Sequence, residues 1–109
     1  MKNTYRPGRV MLTGTSVTTS STLISGGTGA LLVSPGRKLF SFPCEGISSQ
    51  LFVLPWKAGV AAPSASQIAN GGRMYTADDR MVELELDEHS DVYACTDAGT
   101  FSVYETEWV

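Results

Sequence analysis

The sequence predicts an all-β fold: a single antiparallel β-sandwich of jelly-roll-like character, with eight or nine short strands and an extended N-terminal arm. Three observations carry this. Short runs of β-branched and aromatic residues recur between turn residues, at the spacings of a sandwich or small barrel. The 109 residues include 11 Gly but only 17 % charged side chains, and Ser and Thr fill the gap. No window carries the sustained 3.6-residue period of an amphipathic helix. The length suits one domain with a core of its own, divided into an arm over 1–8 and a sandwich over 9–109.

Residues 1–8 are polar and basic and need a surface to lie on. In 9–13, Val10 and Leu12 share a face. Residues 16–24 hold Val17, Thr18, Thr19, Thr22 and Ile24, whose stiff χ1 suits a pleated surface. Gly26-Gly27-Thr28-Gly29 reads as a turn, and 30–34 as a short apolar strand ended by Pro35-Gly36. In 37–44, Phe40, Phe42 and Cys44 alternate with Leu39 and Ser41. After Glu45-Gly46, the strand over 48–56 is apolar on both faces at Leu51-Phe52-Val53-Leu54. That predicts a central strand, or one covered by a neighbouring subunit.

Residues 57–72 read first as a long surface loop. Ser64 and Gln67 fit a capping box and Asn70-Gly71 a helix stop, so one turn of helix over 64–69 is the alternative. The clearest alternation follows over 81–87, with Val82, Leu84 and Leu86 inward and Glu83, Glu85 and Asp87 outward. Turns at 88–90 and 97–99 lead to strands over 91–95 and 100–108, where Phe101 and Val103 oppose Tyr104. The three last strands predict an antiparallel meander.

Charge is polarised along the chain. Residues 1–77 hold seven basic and one acidic residue, and 78–109 hold one and ten, for net +6 and −9. Such a chain satisfies itself by folding back, or a copy of itself by lying head to tail, with complementary potentials setting orientation. No stretch approaches the ~18 apolar residues of a membrane span, and residues 1–7 lack the apolar centre of a signal peptide. These features predict a protein made in a cytoplasm, without a membrane partner. Two cysteines do not make a disulfide framework, so Cys44 and Cys95 read as buried free thiols ahead of a disulfide or a metal pair.

No catalytic or metal site is predicted, and no cofactor. His89 stands alone in a polar turn, without a nucleophile or orienting partner in any motif. The carboxylates Asp78, Asp79, Asp87, Glu88, Asp91 and Asp97 lack the spacing of a calcium loop. The glycines at 26–29 lack the Lys-Ser/Thr and the helix of a phosphate loop. Lys2, Arg6 and Arg9 crowd one end beside Tyr5, but a net-acidic chain argues against nucleic acid. They read instead as an arm docking on an acidic sheet edge formed by Glu83, Glu85 and Asp87. Trp56 and Trp108 read as apolar anchors at a seam, aromatics being common there. Trp56, Trp108, Tyr93 and Tyr104 are also aromatic enough for a carbohydrate platform, and a binding module using Trp56, Tyr75 and Tyr93 is the competing reading.

The segment Gly72-Arg73-Met74-Tyr75, the alternating strand, and Asp91-Val92-Tyr93-Ala94-Cys95-Thr96-Asp97-Ala98-Gly99-Thr100-Phe101-Ser102-Val103 together resemble the ending of small virion proteins of tailed bacteriophages. The resemblance covers about residues 70–108 and is one of texture. It implies a capsid decoration (cement) protein on the capsid exterior, a head-fibre base, or a head–tail or tail accessory component. Such proteins form homo-oligomers, commonly trimers, and bind the major capsid protein. A carbohydrate- or receptor-binding module at a tail or fibre is the alternative.

Overall fold

The computed structural model describes residues 7–10, 15–25, 38–86 and 90–108, with side chains for 15–24, 39–86 and 90–106. Ten strands occupy them: β1 (Pro7–Val10), β2 (Thr15–Val17), β3 (Thr22–Ser25), β4 (Lys38–Pro43), β5 (Leu51–Lys57), β6 (Arg73–Tyr75), β7 (Met81–Leu86), β8 (Ser90–Thr96), β9 (Phe101–Val103) and β10 (Thr106–Trp108). A helix α1 (Ala65–Gly71) lies between β5 and β6, and a 3-10 turn (Ala77–Asp79) precedes β7. The strands form two four-stranded sheets, ordered β1-β10-β4-β7 and β3-β8-β5-β6, joined by the pair β2-β9.

The pairing is nested. The first strand meets the tenth, the second the ninth, the third the eighth, the fourth the seventh and the fifth the sixth, always antiparallel. This overturns the meander expected over the last strands, because β7 pairs β4, β8 pairs β3 and β5, and β9 pairs β2. The physical reason lies in β8. Val92 and Ala94 are buried on one face and Asp91 and Cys95 on the other, so it needs a neighbour on each edge and cover on each face.

Both sheets contribute to one core. Phe40, Phe42, Val82 and Leu86 come from the first, and Ile24, Leu51, Val53, Tyr75, Val92 and Ala94 from the second. Val17, Phe101 and Val103 from the β2-β9 pair fill the end between them. Phe42 meets Phe40 edge-on at 5.6 Å and Phe101 at 6.2 Å between ring centroids. Each such side chain removed from water contributes about 1.5–3 kcal/mol.

The strand expected over 16–24 is two strands in different sheets. Ser20 N donates to Thr18 Oγ1 at 3.1 Å and Thr22 Oγ1 to Ser20 O at 3.2 Å. These hydroxyl bonds give the backbone a local alternative to the ladder, and the chain turns a corner there. The expected strand over 100–108 divides likewise, into β9 and β10 on either side of Tyr104 and Glu105. The strand expected over 30–34 lies outside the described residues.

The segment read first as a loop contains α1. Ser64 caps it through a capping box: Gln67 N donates to Ser64 Oγ at 3.1 Å and Ser64 N to Gln67 Oε1 at 2.8 Å. The helix lies on the outer face of the second sheet, where it buries Ile68 and Cys95; the Cys95 thiol faces Ala65 O at 3.6 Å. No described helix is long and apolar enough to cross a membrane.

Candidate interaction surfaces

β7 forms one end of the first sheet and β1 the other, among the described residues. The alternation read from 81–86 is realised: Val82 and Leu86 are buried, Leu84 packs partly against the core, and Glu83 and Glu85 are exposed on the opposite face. That face therefore carries a short acidic row. Asp87, the third expected member, lies outside the described residues, as do Lys2, Tyr5, Arg6, His89 and the glycines at 26–29.

β1 begins at Pro7, so the last two residues assigned to the arm belong to the sheet. Its backbone pairs with β10, Arg9 opposite Glu107 and Pro7 opposite Trp108. Part of the basic end therefore folds back beside the acidic end of the same chain. The acidic row of β7 stays three strand positions away, with β4 and β10 between. Arg9 and Trp108 are placed by this pairing alone.

Trp56 is half-buried on the outer face of β5, and its indole N–H donates to Ala61 O at 3.0 Å. That bond ties down the turn after β5, a local role that spacing did not reveal. Tyr75 is buried, with the Arg73 guanidinium 5.1 Å from its ring centroid. Burial raises its phenol pKa, only partly offset by Arg73. Tyr75 thus belongs to the inner face, and Trp56 and Tyr93 to the outer face, so the three do not form one platform.

The acidic turns have local duties. Asp79 Oδ2 accepts from Thr76 N at 2.7 Å and closes the cap of the 3-10 turn. Asp97 accepts from Ser49 Oγ at 2.8 Å and Gln50 N at 3.0 Å, which holds its carboxyl below the usual range. Among the described residues, no group of three or more His, Cys, Asp and Glu is arranged to hold a metal ion. Cys44 and Cys95 are free, buried thiols, as expected. Burial, then the Asp79 charge, pushes Cys44 up to about 11, and burial raises Cys95.

A cleft of about 410 Å3, which sequence reading missed, opens between β9 and the turn that follows β4. Glu45, Thr100, Ser102 and Tyr104 surround it and Phe101 lies in its wall. A Cβ on Gly46 would stand 3.2 Å from the Phe101 ring, so the bare glycine lets the turn close over that ring. Tyr104 is 48 % exposed, an aromatic face available to a ligand. Tyr104 is one of the aromatics the sequence offered for a carbohydrate platform, but its partners come from distant turns. Comparison with known proteins gives no further guide: no family description, curated protein or solved structure matches the chain.

Proposed function

We propose that this is a non-enzymatic structural protein of a tailed-phage virion, a capsid decoration (cement) protein. Its copies associate, as trimers, and bind the major capsid lattice from outside, stiffening the shell. The observation that carries this reading is the acidic row on β7, at the sheet end farthest from the basic N-terminal strand. Two like edges repel when paired, because facing like charges are unfavourable, whereas an acidic edge and a basic segment attract. The arrangement favours head-to-tail contacts between copies, and such contacts close into rings when the rotation permits. A standard specific interface removes about 1,600 Å² from water, and several smaller seams per copy add up through multivalency.

The nested strand pairing supports the reading by analogy. We read it as jelly-roll-like, an architecture found in viral capsid and lectin domains. An analogy of fold alone does not decide function. The test is co-sedimentation of the purified protein with shells that lack it, alongside the thermal midpoint of those shells. Saturable binding with a raised midpoint is expected; no binding at any ratio overturns the proposal.

The cleft favours a second reading, a carbohydrate-binding module. An exposed tyrosine, a carboxylate and two hydroxyls around about 410 Å3 suit the apolar face and hydroxyl edge of a sugar ring. Glycan-array binding lost on Tyr104→Ala would move the assignment there.

A further inference from the structure

Of the two ends of the first sheet, β7 is the regular one. It has six residues, no proline, and an unbroken register against β4. β1 is blunted by Pro7 and by a register shift between Pro7 and Arg9, both devices that discourage edge pairing. On β7, Leu84 is only partly buried, while its neighbours on that face, Val82 and Leu86, are 0 % and 5 % exposed. A strand added here would therefore suit the edge best with a cation on the face of Glu83 and a bulky apolar group over Leu84.

Within Met1-Lys2-Asn3-Thr4-Tyr5-Arg6, the last two residues have that pattern. We infer that residues 3–6 of a second copy add to β7 as an antiparallel strand, which rests on the assembly reading above. With Arg6 opposite Glu83, Tyr5 falls opposite Leu84, Thr4 opposite Glu85 and Asn3 opposite Leu86. Alternation then puts the guanidinium on the acidic face and the tyrosine ring over the exposed part of Leu84. Arg6 precedes a proline, which biases it to extended backbone. The antiparallel sense continues the alternation of this sheet and pairs more strongly per residue. A parallel strand with Tyr5 on Leu84 would instead set Lys2 opposite the apolar Met81. Main-chain bonds along an edge supply the affinity of such strand addition, and alternate side chains its specificity.

The strand has to come from another molecule. β1 lies three strand spacings from β7, about 14 Å. Arg6 is bonded directly to Pro7 of β1, and consecutive Cα atoms stand only about 3.8 Å apart. Arg6 therefore cannot reach Glu83 of its own chain across β10 and β4.

Sedimentation velocity on the full chain, comparing wild type with Arg6→Glu, Glu83→Arg and the double exchange, tests the charge pair. Each single exchange is expected to weaken self-association at least tenfold, and the double exchange to recover most of it. Oxidation tests the register: Arg6→Cys with Glu83→Cys should give disulfide-linked multimers, and Lys2→Cys with Glu83→Cys should not. The native thiols are buried and do not compete. A wild type that associates regardless of both single exchanges overturns the strand addition and leaves the assembly reading standing. A wild type monomeric at every concentration overturns both. A disulfide closing within one chain, or multimers from the Lys2 pair, overturns the inferred partner or register.

Discussion

Replacing Gly72 by alanine would put a methyl group where two backbone oxygens already stand. The new Cβ would lie 2.6 Å from Ile68 O and 2.8 Å from Val53 O, between the end of α1 and strand β5. Neither oxygen belongs to a side chain that can swing away. Holding the packing costs about 1–3 kcal/mol of overpacking strain. Releasing it means lifting α1, which exposes Ile68 at about 1.5–3 kcal/mol. It also breaks the 2.8 Å bond from Gly72 N to Ile68 O, worth about 1 kcal/mol net. The expected outcome is a helix destabilised by about 3 kcal/mol, which is about 10²-fold in its opening equilibrium at 1.4 kcal/mol per decade. Cys95 lies under that helix, and Cys44 sits in the core between the sheets. Alkylation followed by mass spectrometry therefore separates local from global opening within one molecule. In Gly72→Ala, Cys95 should label about 10²-fold faster than in wild type while Cys44 lags behind it. If Cys95 labels at the wild-type rate and the thermal midpoint is unmoved, the close-approach argument is wrong.

Phe42→Ala empties the space where Phe40 and Phe101 meet it and should cost about 3–5 kcal/mol, read from urea denaturation. Arg80 has φ +68°, a region an L residue enters at a cost of about 1–3 kcal/mol. Glycine there gives back about 0.5–1 kcal/mol through the unfolded chain, so Arg80→Gly should stabilise by about 1 kcal/mol. A lowered midpoint would count against strain at that position. Asp97 has a depressed folded pKa, so its contribution is present above the ordinary 3.8 and lost as pH falls through the folded value. Asp97→Asn should flatten the urea midpoint against pH below about 4, and an unchanged slope there would contradict the role given to Ser49 and Gln50.

Alternation alone made some strands legible. Met81 to Leu86 and Lys38 to Pro43 have period-2 patterns strong enough to assign each buried face, and β5 is central as its apolar run required. The helix was legible in its cap and illegible in its body. Ser64 and Gln67 announced it, but Ile68 alone is its buried apolar residue, so no helical period backed the cap. Corners at Thr18 to Ser21 and at Tyr104 to Glu105 hid inside sequences of high β propensity, because hydroxyl bonds and burial, not Gly or Pro, make those breaks. Partner choice among strands was the largest loss. Pairing depends on contacts across the whole chain, and a one-dimensional reading favours neighbours. The cleft was missed for the same reason, since Glu45 and Tyr104 meet only after the sheets close.

The order in which strands find one another has a consequence for how the molecule is made. Because β1 pairs with β10, the first sheet cannot be finished until residues 106–108 have been made. The innermost pair, β5 with β6, can close early, and each later pair encloses a longer loop, so assembly proceeds outward and slowly for a domain of this size. Loss of residues 106–108 therefore leaves β1 without its mate and β4 with a bare edge, and a chain stopped at Thr106 should aggregate.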